Sequence, residues 1–263
     1  MTGRRGGLMS GAALAAVLMA SAATAAPISI IGFQPGVAGQ NCGTGNHSTF
    51  LGPGVTEFNF DGVLGSAAAS SCSTANGPST FYRDYGAMPA GATGNLTFSG
   101  TGAEVVRGTT STAAAPWADS TPYLSVPRPG TTGGSETIAI NPALHDNYFG
   151  VYWGSIDTAN SITFTLSDGS THGFSGSDLG LGDILSENSQ NQTVTSTNEY
   201  VDFGTISGLS IDRVVFSDGN SIAFEFDNLA YGTIGDPVPE PASLALFGAA
   251  LMGLGALRRR KRA

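Results

Sequence analysis

The sequence predicts an all-β protein built as an antiparallel β-sandwich, on three observations. Apolar residues recur with a period of two in short runs. No window holds a sustained 3.6-residue apolar period. Glycine is abundant, with 38 among 263 residues. A period of two buries one face of a strand and wets the other, the habit of antiparallel sheets. Many short strands separated by glycine-rich turns then read as a sandwich of residues 26–235.

The strands follow in order. Ile28, Ile30 and Phe33 open the body. Phe58 and Phe60 alternate in TEFNF, Leu96 and Phe98 in NLTF, and Ile138 and Ile140 in ETIAI; Ile162, Phe164 and Leu166 follow in ITFTL. Asp168-Gly169 and Asp218-Gly219 are turn signals, and the second is read as a hairpin joining RVVFS to SIAFEFDNLAY. The region from Gly108 to Ser135 is the least regular. Trp117, Tyr123, Leu124 and Val126 are costly to leave in water, so it reads as a long loop carrying a short strand within one domain. In YFGVYW, Tyr148, Gly150 and Tyr152 share one face, while Phe149, Val151 and Trp153 share the other. In AFEFDNLAY the parity changes: Ile222, Phe224 and Phe226 share a face, and Leu229 and Tyr231 fall on the opposite one. Either a β-bulge at Asp227-Asn228 restores all five to the core, or the last two face the other sheet surface.

Both ends stand apart from this body. Arg4 and Arg5, an apolar run from Ala12 to Ala20 and Ala23-Thr24-Ala25 form a secretory signal over residues 1–25, cut after Ala25 by signal peptidase. Between residues 26 and 240 the only basic residues are Arg83, Arg107, Arg128 and Arg213. All 20 acids fall in that span, a net charge of −16. Such a body repels phosphate, which excludes nucleic acid and electrostatic attraction to an anionic membrane. Cys42 and Cys72 lack the spacing and histidines of a zinc site. In an oxidising compartment they favour a disulfide, which stabilises by roughly 3–4 kcal/mol in the chain-entropy model.

The C-terminal segment, residues 236–263, carries the most specific pattern. Ala242 to Leu257 is a run of 16 uncharged residues, about 24 Å as a helix and so just enough for a single membrane helix with snorkelling flanks. Arg258, Arg259, Arg260, Lys261 and Arg262 would stay cytoplasmic. Pro239-Glu240-Pro241, the short Gly/Ala/Leu run and the arginine cluster together resemble the PEP-CTERM sorting signal. The resemblance implies handling by exosortase in a Gram-negative bacterium that makes extracellular polysaccharide, with transient residence in the inner membrane before the cell surface or matrix. NYFGVYWGSIDTANSITFTLSDG, with PYLSVP, IDRVVF and FEFDNLAYG, is similar to ectodomains of the same surface proteins over roughly Tyr123 to Gly232.

No residue pattern identifies a reaction. His47, His145 and His172 are far apart, GFSGS at 173–177 lacks the last glycine of a nucleophile elbow, and there is no P-loop or dinucleotide fingerprint. The protein is therefore expected not to be an enzyme, with a secreted hydrolase the least favoured reading. FEFDNL resembles the closing strand of jelly-roll carbohydrate-binding domains, which makes the sandwich jelly-roll-like. That resemblance implies a structural calcium at Asp227, with Glu57 and Asp61 as partners because hard oxygens suit that cation. No other cofactor is expected. Trp117 and Tyr152 are the candidate sugar-stacking aromatics, while Trp153 is read as core. Sequons at Asn46, Asn95 and Asn191 mark surface loops. The expected function is an exported surface or matrix protein associated with extracellular polysaccharide or biofilm. The alternative is a carbohydrate-binding jelly-roll module with structural calcium.

Overall fold

A computed structural model describes residues 26–35, 45–60, 84–86, 91–109, 112–117, 119–180, 195–206 and 208–235. The signal segment, Cys42, Asp61, Cys72, Asn191 and everything from residue 236 onward lie outside these residues.

Fourteen strands are described: β1 (Ile28–Pro35), β2 (Val55–Phe58), β3 (Asp84–Gly86), β4 (Gly91–Thr93), β5 (Leu96–Thr101), β6 (Glu104–Arg107) and β7 (Tyr123–Val126), then β8 (Ser135–Ile140), β9 (Tyr148–Gly154), β10 (Ser161–Leu166), β11 (Thr171–Ser175), β12 (Glu199–Thr205), β13 (Ile211–Ser217) and β14 (Phe224–Gly232). They form two sheets. The first runs β1-β12-β9-β14-β7-β6-β3, and β2 also pairs with β14; the second runs β11-β10-β13-β8-β5-β4. Every described pairing is antiparallel, as alternating rather than continuous apolar runs require.

The strands β7 to β14 alone make a jelly roll. Their order is β7-β14-β9-β12 in one sheet and β8-β13-β10-β11 in the other, so the chain alternates between sheets except at the β10–β11 hairpin. That hairpin closes at Asp168-Gly169, where Gly169 has φ 82° and Leu166 N–H donates to Ser170 O at 2.9 Å. Asp218-Gly219 corrects the sequence reading. It turns the chain, but β13 lies in the second sheet and β14 in the first, so the two strands do not pair as a hairpin. A turn signal fixes the local reversal and says nothing about which sheet the next strand joins. The described residues of the 108–135 region form, as expected, loops around a short strand, β7.

The core lies between the sheets. Phe149, Val151, Trp153, Phe203, Phe224, Phe226 and Leu229 from the first sheet meet Ile138, Ile140, Ile162, Phe164 and Phe216 from the second. Phe216 stacks on Phe226 with centroids 3.9 Å apart, and Trp153 stacks on Phe224 at 4.6 Å. Aromatic stacks of this kind add to the area they bury.

The parity change in β14 is a bulge. Its register against β9 shifts between Asp227 and Ala230, and Asn228 takes φ 49°. Phe224, Phe226, Leu229 and Tyr231 all reach the core. Ile222 lies just before the strand and is half-buried, so the bulge restores four of the five apolar residues.

The far face of the second sheet is different in kind. Across it run the register rows Ser161–Ser217–Ser135, Thr163–Val215–Thr137–Ser99 and Thr165–Arg213–Ala139–Thr97. These side chains are exposed or half-buried, mostly short and hydroxylated, with Arg213 as the single charge among them.

Candidate functional site

Strands β9, β12 and β14 are buried on both faces, although only one face packs against the second sheet. Alternation sends Tyr148, Tyr152, Tyr200, Asp202, Glu225 and Asp227 to the outer face. Two segments cover them: one around residues 45–51, the other spanning 112–117 and 119–121. The result is a second buried layer that is polar, and its polar groups need partners.

One half of this layer centres on Tyr148. Its hydroxyl donates to Asp202 Oδ1 at 2.5 Å and lies 2.5 Å from Ser48 Oγ. Tyr200 Oη donates to Asn228 O at 2.9 Å, and Asn228 Nδ2 donates to Asn46 O at 2.9 Å. Asn46 Nδ2 in turn donates to Gln34 O and Pro35 O at 3.1 and 2.8 Å. Asn46 is thus buried, against the surface position expected from its sequon; Asn95 is exposed as expected. His47 Nδ1 and Glu57 Oε1 hydrogen-bond at 2.8 Å at the rim. Burial raises the Asp202 carboxyl and the Tyr148 hydroxyl, with the Asp202 charge adding to the latter. Burial likewise raises the Tyr200 hydroxyl well above its ordinary value, so both phenols are held protonated as donors.

The other half centres on Asp227, fully buried beside the bulge. Thr121 Oγ1 lies 2.5 Å from Asp119 Oδ1 and 3.2 Å from Asp227 Oδ2, so one hydroxyl bridges two carboxyl groups. Tyr152 Oη donates to Trp117 O, and burial raises its pKa, with Asp119 and Asp227 adding to the rise. Asn198 Oδ1 accepts from Trp117 N at 2.8 Å and from Ser155 N at 3.1 Å. Glu225 accepts from Ala114 N at 2.8 Å and from Ser155 Oγ at 2.9 Å. Burial holds the Glu225 carboxyl well above the usual range.

Of the residues expected to form a site, Trp117 and Tyr152 are brought together, but in an unexpected way. Tyr152 is fully buried, its ring covered by the backbone at Gly45, where an added Cβ would lie 2.6 Å from it. It presents no face to a sugar, whereas Trp117 is half-buried. Glu57 sits on β2 opposite Ala230 and hydrogen-bonds to His47 rather than joining the Asp119–Thr121–Asp227 group. Asp61, Cys42, Cys72, Pro239, Glu240, Pro241 and Arg258 to Arg260 lie outside the described residues. Among the described residues no group of three or more His, Cys, Asp or Glu side chains is arranged to hold a metal ion. Trp153 is core, as read from its parity.

Sequence reasoning missed Asp119, Asp202, Glu225 and the bridging Thr121. Parity was the signal for Asp202 and Glu225, which alternate with core residues on strands buried on both faces; Asp119 and Thr121 lie outside the strands and carried none. It also missed buried carboxyls elsewhere, among them Glu136 and Asp146. Glu136 shares the parity of Ile138 and Ile140, and burial pushes it up to about 7; burial pushes Asp146 up to about 6.

Residues 237–261 match the PEP-CTERM protein-sorting motif. The chain therefore carries a signal for exosortase-dependent sorting to the cell surface, joined to an antiparallel β-sandwich whose last described strand ends at Gly232. Among the described residues no helix is long and apolar enough to cross a membrane; residues 242–257 are not among them. No curated protein matches the chain.

Proposed function

We propose that the protein is a non-enzymatic surface or matrix component whose sandwich associates with extracellular polysaccharide after exosortase releases it from a transient inner-membrane anchor. The observation that carries this reading is the sorting motif at residues 237–261, directly after a jelly-roll body. A second feature supports the polysaccharide part. The far face of the second sheet offers rows of Ser and Thr hydroxyls with one cation, Arg213, in a body otherwise strongly acidic. Neutral polar faces hydrogen-bond sugar hydroxyls without the repulsion that this body exerts on anions.

The test is co-sedimentation of the processed protein with the extracellular polysaccharide of its own host. Binding that falls at least tenfold on Thr137→Val and Arg213→Ala, with thermal stability unchanged, supports the reading. Binding that is absent, or indifferent to both substitutions, overturns its polysaccharide part. A structural calcium remains part of the proposal at Asp227, now with Asp119 beside it. Two like charges nearly out of water and bridged by one hydroxyl gain from a hard cation between them.

A further inference from the structure

We propose that the end of the sandwich at which β14 leaves the fold rests on the lipid surface while the chain is still anchored. The inference depends on the reading above that the segment from Ala242 enters the membrane. Large apolar side chains stand exposed at four described positions, and three of them, Phe50 at 37%, Leu51 at 43% and Leu144 at 37%, lie at this end. The fourth, Phe33, is on the edge strand β1. Scattered exposed apolar residues are ordinary, but their concentration on one end of an acidic body marks a surface.

The ladder places them around the exit. Gly232, the last residue of β14, pairs with Val55 on one side and Tyr148 on the other. The turn at 49–54 leads into Val55, and the connection at 141–147 leads into Tyr148. Thr233 N–H donates to Gly54 O at 2.9 Å. Asn147 clamps Ile234 from both sides, its Nδ2 donating to Ile234 O at 3.0 Å and its Oδ1 accepting from Ile234 N at 2.8 Å. The departing chain is therefore tied between the two loops that carry Phe50, Leu51 and Leu144. Phe50 is itself propped on the Tyr148 ring, with centroids 5.1 Å apart.

Covalent reach then fixes the neighbour. Seven residue steps separate Gly235 from Ala242, the first of the uncharged run, a span of at most about 25 Å. The headgroup layer takes up roughly 6 Å of that. An anchor inserted at Ala242 keeps this end, and not the opposite one, against the bilayer.

Charge agrees. The described loops here (49–54, 94–95, 141–147, 167–170, 206, 208–210 and 233–235) contain only two acids, the buried Asp146 and the exposed Asp168. An acidic body can approach lipid only by an acid-poor end. Three side chains bind an interface weakly, so the tether's effective concentration is needed for occupancy.

The test uses the chain from Ala26 to Ala263, carrying Leu51→Trp, Leu144→Trp or Ser177→Trp, in phosphatidylethanolamine–phosphatidylglycerol vesicles with brominated acyl chains. The native Trp117 and Trp153 lie toward the far end and supply the reference signal. At least twofold quenching of the added Trp at 51 and 144, but not at 177, is the expected result. Chains that float with the vesicles but show no quenching at 51 and 144, or equal quenching at 177, overturn the docking alone. Chains that do not float overturn the anchor reading and the docking with it. Shielding of position 51 only when exosortase shares the vesicles assigns this end to the protease, and overturns the lipid assignment.

Discussion

Glu225 and Ala114 meet across 111 residues of chain: the Ala114 N–H donates to Glu225 Oε1 at 2.8 Å, and the other carboxyl oxygen takes Ser155 Oγ at 2.9 Å. One buried side chain thus pins the 112–117 segment to the outer face of the first sheet. Removing it strands a backbone donor and a hydroxyl, at roughly 1–3 kcal/mol for each unsatisfied group. Glu225→Ala is expected to lower Tm on the order of 10 °C. Glu225→Gln, which mimics the protonated acid and keeps both partners, should lower it by no more than a few degrees. Thermal unfolding of both variants at pH 7 checks this; equal losses would mean that the segment is held by something other than these two bonds.

The buried carboxyls also set how stability follows pH. Glu136 and Asp146 titrate near 7 and 6 in the fold, above their ordinary values, because burial disfavours the charged form. A raised carboxyl binds its proton more tightly in the folded chain than in the unfolded one. The stability it contributes is complete below about pH 4 and is lost as pH rises through 6 and 7. The protein should therefore melt several degrees higher at pH 5 than at pH 8, opposite to a fold held by salt-bridged carboxylates. Glu136→Gln should flatten the upper part of that profile. A Tm that rises from pH 5 to pH 8 would contradict the prediction.

The division between what was legible in the sequence and what was not follows from range. Strand alternation is local, so Ile138 and Ile140, Ile162 to Leu166, and the two faces of β9 could all be read directly. The bulge was legible as one of two options because Leu229 and Tyr231 are apolar and break parity. Which sheet β14 joins is a tertiary fact, and the Asp218-Gly219 turn misled for that reason. The polar layer was illegible because its bonds join distant segments: Asn46 to Asn228 spans 182 residues, and Trp117 to Asn198 spans 81. Tyr152 illustrates the consequence. Its face was read correctly, but the cover over that face, at Gly45 and Trp117, was not.

Asn228 holds the bulge in the left-handed region, with φ 49°, where a β-branched residue is strongly disfavoured. Asn228→Val also loses the bond to Asn46 O. Together these should destabilise by about 2–4 kcal/mol. Deleting Asn228 should do more, because a one-residue slip turns Leu229 and Tyr231 out of the core. Circular dichroism melts on both variants test this, and a deletion that keeps the wild-type Tm would show that β14 needs no bulge.

If a cation lies between Asp119 and Asp227, excess calcium should raise Tm relative to a chelator by more than a few degrees, in the manner of any ligand that binds only the folded chain. Asp227→Asn and Asp119→Asn should each abolish that rise, and Glu57→Gln should leave it intact, since Glu57 is engaged with His47 instead. A rise of under a few degrees in the wild-type chain would remove calcium from the account. A rise lost on Glu57→Gln but kept on Asp119→Asn would return the site to the partners first read from the sequence.

Sorting makes the sharpest demand on the intact chain. Residues 237–261 include Pro239-Glu240-Pro241, the uncharged run and Arg258 to Lys261. If the uncharged run enters the membrane as proposed, the proline–glutamate–proline element falls between the body and the bilayer, within reach of a membrane-embedded protease, and the arginines fall on the cytoplasmic side. Protein recovered from the native host's medium should have an intact mass that ends near Pro239 to Pro241. Envelope protein from cells lacking exosortase should retain Arg258 to Arg262. Replacing Pro239, Glu240 and Pro241 with alanine should leave the body folded, with the same melting profile, but move at least tenfold more of it to the membrane fraction with the arginines still present. Medium protein that retains Arg258 to Arg262 would mean release without cleavage at this element, and the exosortase step would have no place in its export.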